Sequence, residues 1–274
     1  MTAKKKTISE KLYKFTLMNP LNYEIHLVDN CNLNCAYCSH FSPLAEPNEL
    51  TPKKYEDNLK KINPNVLDKM TSIRLLGGEP LLNKDINEII KISRKYFKNA
   101  YITIITNGIL LRRMSDLFYD TCKDNNIAIT ITYYGINLNY DDLYQFIKDK
   151  GLDVCFWDRT NGEKTFFKYP INLSGTENYE ENYNVCWCIH VWQCLQLDGT
   201  KLYCCNIGPY VKYFNKRFNT NIVDNEYLDL SQINDYSEIE EWFSKPKKIC
   251  RYCDRRNIKT VKWTNSKQDI SEWT

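Results

Sequence analysis

Residues 31–38 read CNLNCAYC, three cysteines separated by gaps of three and then two residues. The stretch before them, YEIHLVD (23–29), is rich in β-branched and aromatic residues and predicts a strand. Working outward, a strand–helix rhythm follows. PKKYEDNLKKI (52–62) predicts a helix with Thr51 as N-cap and Pro52 in its first turn. SIRLLGGE (72–79) predicts a buried strand running into two glycines, and KDINEIIKISRKYF (84–97) a helix with Ile86, Ile89, Ile90 and Phe97 on one stripe. YITIIT (101–106), IAITITYY (127–134) and LDVCFW (152–157) predict strands. ILLRRMSDLFYDTCKDN (109–125) and YDDLYQFIKDK (140–150) predict helices, the latter ended by Gly151. FFKYPINL (166–173) is a sixth strand candidate, weakened by Pro170.

Repeated strand–helix units imply an α/β fold with a parallel sheet. Five or six units do not close an eightfold barrel, so the expectation is an open, partial (β/α)6 barrel over residues 20–178. In such sheets chemistry sits at the carboxyl ends of the strands. The cysteine trio, Gly77–Gly78–Glu79 and Asn107–Gly108 all follow strands there. After about residue 175 the rhythm stops, and GTENYEENYN (175–184) reads as a polar linker. Residues 179–274 form a second, cysteine-rich segment, and 1–19 an N-terminal extension.

The chain has 274 residues, 43% of them hydrophobic, and a formal net charge of +3. That charge does not point to nucleic acid. No apolar run reaches the length of a membrane span, and the lysine-containing N-terminus lacks the apolar core of a secretory signal. Twelve cysteines without such a signal favour metal ligation in a reducing cytoplasm over disulfides.

Three thiolates on one loop can hold three irons of a cubic iron–sulfur cluster and leave the fourth open to a small molecule. A zinc site completed by His40 fits the spacing less well, because zinc sites more often pair cysteines two apart. Cys122 and Cys155, in a predicted helix and strand, read as buried small hydrophobes. His26 and His40 read as structural polar contacts, while His190, among cysteines, stays open.

Cys31-x-x-x-Cys35-x-Tyr37-Cys38, with Gly77-Gly78-Glu79-Pro80 after the second strand, resembles the radical S-adenosylmethionine enzymes. The resemblance covers roughly residues 20–175. It implies a 4Fe–4S cluster on Cys31, Cys35 and Cys38, with S-adenosylmethionine on the open iron. One electron would then cleave the cofactor to a 5′-deoxyadenosyl radical, which takes a hydrogen atom from the substrate. It further implies that the Glu79 side chain and Gly78 backbone accept from the methionine ammonium, that Gly77 and Gly78 let backbone come close while Pro80 stiffens the turn, that Tyr37 lies by the adenine, and that Asn107 contacts ribose or carboxylate. Thr130 and Thr132 lie on the fourth strand, where family members place a serine on the cofactor; Tyr134 competes for that ground. An external flavodoxin- or ferredoxin-type donor is implied. No single residue is assigned as catalytic.

The C-terminal pattern, CWCIHVWQCLQLDGTKLYCC (186–205) and then CRYC (250–253), resembles the twitch module, a shortened SPASM domain holding one auxiliary 4Fe–4S cluster. Cys186, Cys204, Cys250 and Cys253 are the ligand set it suggests. Cys188 and Cys194 are rivals for the first place and Cys205 for the second. Asp198–Gly199 predicts a hairpin tip that would bring Cys194 and Cys204 together. A structural zinc is the blander reading. An auxiliary cluster suits a net two-electron oxidation. With only a short segment before the first strand, a small or carbohydrate-like substrate, oxidised or epimerised, is preferred. A peptide delivered by a partner to a maturase, and a non-catalytic iron–sulfur or zinc protein, are the alternatives.

Overall fold

The computed structural model describes residues 21–157, 165–223 and 225–274, so the expected extension 1–19 lies outside the described residues. Five parallel strands follow the rhythm of the sequence: β1 (Asn22–Val28), β2 (Ser72–Gly77), β3 (Tyr101–Thr106), β4 (Ile127–Thr132) and β5 (Val154–Trp157). They are adjacent in that order, each hydrogen-bonded to the next. The helices between them are α1 (Pro52–Leu59), α2 (Pro64–Lys69), α3 (Ile86–Tyr96), α4 (Asp116–Asp124) and α5 (Tyr140–Asp149). The Thr51 hydroxyl caps α1 by accepting from the Lys54 amide. Helix α4 begins later than residue 109 because Ser115 caps it there, its hydroxyl accepting from the Phe118 amide. Helix α2, entered through the Asn63 side chain and Pro64, was not anticipated.

Parallel register stacks like residues in rows. Tyr23, Ile73, Ile102 and Ile127 are partners across β1–β4, as are Ile25, Leu75, Ile104 and Ile129. These rows are buried in one core with Ile86, Ile89 and Ile90 of α3, Phe118 and Cys122 of α4, and Leu143 and Ile147 of α5. Because successive side chains alternate across a strand, the opposite face carries Glu24, Arg74, Thr103 and Thr130. There the Arg74 guanidinium donates to Glu24 at 3.2 Å, and the Thr103 and Thr130 hydroxyls bond each other at 2.7 Å.

The sixth parallel strand is not the one the sequence suggested. The chain at Thr165–Lys168 is a short strand, β6, in a separate two-stranded sheet with the antiparallel β10 (Lys259–Lys262). Pro170 has no amide hydrogen to offer a ladder, which suits this edge position. The place beside β1 is taken by β7 (Cys194–Asp198), parallel to it, so the sheet order is β5-β4-β3-β2-β1-β7-β8-β9. Strands β8 (Lys201–Tyr203) and β9 (Leu228–Asp229) are antiparallel additions. The β7–β8 hairpin forms as expected, but Asp198 pairs with Lys201, so its tip is Gly199–Thr200, with Gly199 at φ +67°. The remaining helices are α6 (Tyr179–Asn184), α7 (Trp187–His190), α8 (Ile207–Phe218) and α9 (Ser237–Phe243). The second segment thus continues the sheet of the first, and Leu195, Leu202 and Phe214 join the same core.

Arg74 and Glu24 are both almost wholly buried, and Gln196 on β7 donates to the same carboxylate at 2.5 Å. Burial alone would raise the Glu24 pKa, but Arg74 first, then His40 and Gln196, bring it below the ordinary carboxylate value. Arg74→Met should destabilise the chain by roughly 3–5 kcal/mol in urea unfolding, since it strands a buried charge. A carboxylate whose pKa is depressed on folding contributes stability above its unfolded pKa of about 4.3, and that contribution is lost as pH falls below it. Arg74→Met should flatten this acid limb of the stability profile.

Candidate cluster and cofactor site

The loop leaving β1 is zipped to the loop leaving β2. The Gly78 amide donates to Val28 O at 2.7 Å and the Glu79 amide to Asn30 O at 3.2 Å. A Cβ on Gly77 would lie 2.1 Å from Val28 O, and one on Gly78 2.1 Å from Asn30 O. Gly77 also sits at φ +144°. Only glycine fits either position. This contact fixes where Cys31, Cys35 and Cys38 emerge, with Tyr37 between them in the left-handed region at φ 65°.

The three thiols are close enough for each to feel its neighbours' charge. Burial is the larger effect. It pushes Cys35 to about 12 and raises Cys31 and Cys38 as well. Three adjacent, partly to fully buried thiolates would need cationic charge at the loop, which iron would supply. Among the described residues no three His, Cys, Asp or Glu side chains are arranged around a single ion. Each thiolate of a cube binds a different iron, so that donor set need not converge on one point.

Glu79 is fully buried. Its Oε1 accepts from the Leu81 amide at 3.1 Å and the Thr106 hydroxyl at 2.7 Å, and its Oε2 from the Asn107 amide at 3.0 Å. Burial outweighs these bonds and raises its pKa to about 7. The carboxylate therefore braces the ends of β2 and β3, which leaves little acceptor capacity for a ligand. Asn107 extends the brace: its side-chain amide donates to Asn32 Oδ1 at 2.8 Å and reaches Cys31 Sγ at 3.7 Å. Pro80 is buried behind them.

Of the fourth-strand candidates, Thr130 is buried with its hydroxyl engaged by Thr103 and by Cys155 Sγ at 3.3 Å. Thr132 is half-buried at the strand end. Tyr134 stands at the trio: burial, then the charges of Cys35, Cys38, Cys31 and Glu79, push its phenol well up. Tyr37 is half-buried, with the Lys168 ammonium 5.8 Å from its ring centre. His40 Nδ1 is 2.8 Å from His26 Nε2, and His26 Nδ1 is 2.9 Å from Asp29 Oδ1. Asp29 assigns the proton to His26 Nδ1, so His40 donates to His26. Burial lowers both imidazoles, His40 to about 4, and both rings are spent in structural contacts.

A second set of thiols gathers in the C-terminal segment. Cys188 donates to Cys186 and lowers its pKa. Cys204 bonds Cys205 and Cys250, and the half-buried Cys253 lies within reach of Cys186, Cys205 and Cys250. Asn182 ties the segment by donating to Cys250 O at 2.9 Å and Cys253 O at 2.7 Å. Cys194 lies near enough to Cys188 for their charges to interact, but it also contacts Arg74. Its sulfur accepts from Arg74 at 3.0 Å and donates to Trp192 O at 3.4 Å. The hairpin does not bring it to Cys204, because the register Gln196↔Tyr203 sets residue 194 opposite 205. His190 Nε2 is 2.9 Å from Tyr183 O and serves α6. Cys122 and Cys155 are buried, as expected.

From the sequence, Trp263 and Trp273 of the tail are expected to pack back on the body, and they do; that they reach the cysteine loop was not anticipated. The Trp263 indole donates to Cys35 Sγ at 3.1 Å, and the Trp273 indole to Cys38 O at 2.8 Å. Tryptophans more than 200 residues from the trio carry no local signal for such contacts.

Residues 25–150 match the family model of the radical SAM superfamily. The chain is 31% identical over 106 residues to the GTP 3',8-cyclase of Aliarcobacter butzleri (strain RM4018), covering 38% of this chain and 33% of that protein. It is 33% identical over 111 residues to the GTP 3',8-cyclase of Clostridium botulinum (strain Okra / Type B1), covering 40% and 35%. The chain thus spans about a third of the length of these curated relatives. Among solved structures, BtrN in complex with AdoMet and 2-DOIA shares the fold at a TM-score of 0.51 and 17% identity, over 85% of this chain and 92% of BtrN. Residues 25–150, a little under half of the chain, are thus similar to a radical SAM domain, a class that implies an enzyme with a 4Fe–4S cluster, S-adenosylmethionine and an electron donor. No described helix is long and apolar enough to cross a membrane.

Glu79→Gln would set an amide N–H₂ against the Asn107 N–H, leaving a buried donor unpaired. It should lower stability by about 1–3 kcal/mol in urea unfolding of the iron-free chain.

Proposed function

We propose that this chain is a radical SAM enzyme acting on a small or carbohydrate-like substrate, for oxidation or epimerisation. The observation that carries the proposal is the convergence of Cys31, Cys35 and Cys38, the Gly77–Gly78 backbone and Tyr134 at the carboxyl-end rim of a parallel sheet. Bound there, the cluster supplies the electron that splits S-adenosylmethionine, and the resulting 5′-deoxyadenosyl radical takes a hydrogen atom from the substrate.

The chain's own groups have distinct parts in this reading. The glycine pair lets backbone carbonyls approach the methionine ammonium, and Glu79 holds those carbonyls in place from behind. On this reading Tyr37 contacts adenine and Asn107 contacts ribose or carboxylate. Tyr134, rather than Thr130, is the fourth-strand contact. Below the rim, the polar sheet face offers Arg74, Glu24 and Gln196 to hydroxyl groups. The buried Gln196 Oε1 has no hydrogen-bond partner among the described residues, which supports a ligand donor there. BtrN was crystallised with AdoMet together with 2-DOIA, which supports the same pairing of cofactor and second ligand on this fold.

The auxiliary cluster belongs to the same proposal. Cys186, Cys204, Cys250 and Cys253 remain the preferred ligands, with Cys188 and Cys205 adjoining them and Cys194 set aside by its bond to Arg74. All twelve cysteines are free thiols, which suits a reducing cytoplasm.

Anaerobically reconstituted protein should hold roughly eight irons per chain, two cubes of about four each. Cys250→Ala/Cys253→Ala should remove about half the iron and spare S-adenosylmethionine cleavage. Reduction with S-adenosylmethionine should release 5′-deoxyadenosine, and Cys31→Ala/Cys35→Ala/Cys38→Ala should abolish it. Zinc in place of iron, or no 5′-deoxyadenosine from the unsubstituted protein, would refute the reading.

A further inference from the structure

We infer that Trp263 is a positioning residue that sets the reduction potential of the cluster on Cys31, Cys35 and Cys38 through its bond to Cys35. The inference rests on the reading that this loop holds a cube. Its basis is the course of the tail after β10. There the chain lies along the cysteine loop as an added strip of backbone. Thr264 O accepts from the Ala36 amide at 2.9 Å, and the Ser266 amide donates to Asn34 O at 2.8 Å. Asn34 Nδ2 returns a bond to Ser266 O at 2.9 Å. Cys35 and Asn265 pair as an antiparallel bridge. Further along, Trp273 donates to Cys38 O, Gln268 to Pro43 O at 2.7 Å, and Lys168 holds Ser271 O and Thr274 O at 2.6 Å. The buried Trp273 ring packs against Phe41, Phe214 and Phe218.

Within this strip it is the Trp263 side chain that reaches a thiol of the trio. Its indole N–H is a donor and nothing else, so the 3.1 Å contact to Cys35 Sγ has one direction. A donor on a ligand sulfur draws charge from the thiolate and favours the more negative, reduced state of a cluster. The bond therefore makes the cube easier to reduce. The tail's other contacts named above hold the loop in place through backbone and side-chain oxygen and nitrogen, so the potential and the position of the loop are carried by different residues.

Trp263→Phe keeps an aromatic ring and every backbone bond of the strip while removing the donor. Potentiometric EPR should follow the signal that S-adenosylmethionine perturbs, which identifies the loop cluster. The expected result is retained iron and a more negative midpoint in the variant. An unchanged midpoint with retained iron overturns the inference and leaves the functional reading intact. No S-adenosylmethionine-sensitive signal in the unsubstituted protein overturns both. Should the variant lose its iron, the unsubstituted protein labelled with 15N-tryptophan decides. An indole proton strongly shifted by the paramagnetic cluster, and retained in Trp273→Phe, supports the bond; no such proton overturns it.

Discussion

The contact on which the site depends is the close approach of backbone at Gly77 and Gly78 to Val28 and Asn30. Two parallel strands bring the loops to the same rim, but parallel pairing alone does not join what leaves the strands. The amides of Gly78 and Glu79 do, and they can only because neither glycine has a side chain to collide with a carbonyl. Once joined, the β2 exit is bound to the β3 exit by Glu79, whose buried carboxylate gathers three donors from Leu81, Thr106 and Asn107. Burying a carboxylate is costly, as its raised pKa shows. That cost is offset by the rigidity it gives three loops at once.

Much of this was legible in the sequence because it is local. Periodicity located the strands β1 to β5 and most of the helices between them, and the CNLNCAYC and GGEP segments fell at strand ends where a parallel sheet collects chemistry. The sixth strand was not legible. FFKYPINL has the apolar content of a strand, yet its partner is decided by β10, far along the chain. The place next to β1 went instead to CLQLD, whose Gln196 completes the Glu24–Arg74 pair on the polar face. The same pairing explains Cys194. By spacing it belongs with the other C-terminal cysteines, and it does lie near Cys188, while Arg74 donates to its sulfur as well.

Glu79 shows how a motif can be legible while the work of its residues is not. A glutamate after two glycines suggests an acceptor turned toward a ligand. The structure turns it inward, because the amides freed at the ends of β2 and β3 need an acceptor in a place water does not reach. Tyr134 is the converse. Its place at the end of the fourth strand made it a candidate beside Thr130 and Thr132, but only the meeting of β4's exit with the cysteine loop brings its phenol within reach of the thiols' charge.

Both thiol groups pose the same electrostatic problem and the fold answers it in the same manner. Burial raises the pKa of Cys35 in the loop and of Cys253 in the C-terminal set. Cys204 is raised too, first by its bonds to Cys205 and Cys250 and then by burial. These sulfurs on their own favour the protonated form. A cluster that replaces their protons with iron relieves the desolvation of all its ligands together, which couples metal binding to the packing of the segments that bring the thiols in. In the first set those segments are the β1 and β2 exits and the tail. In the second they are α6 and the turn at Lys248–Tyr252, tied by Asn182. The tail belongs to both arrangements, since the residues after Cys253 run directly into β10 and on to Trp263, which bonds Cys35. If both sets hold clusters, as proposed, ordering either would order the strip of backbone that the other set leans on, and the order of filling would be a property of the fold rather than of either site alone.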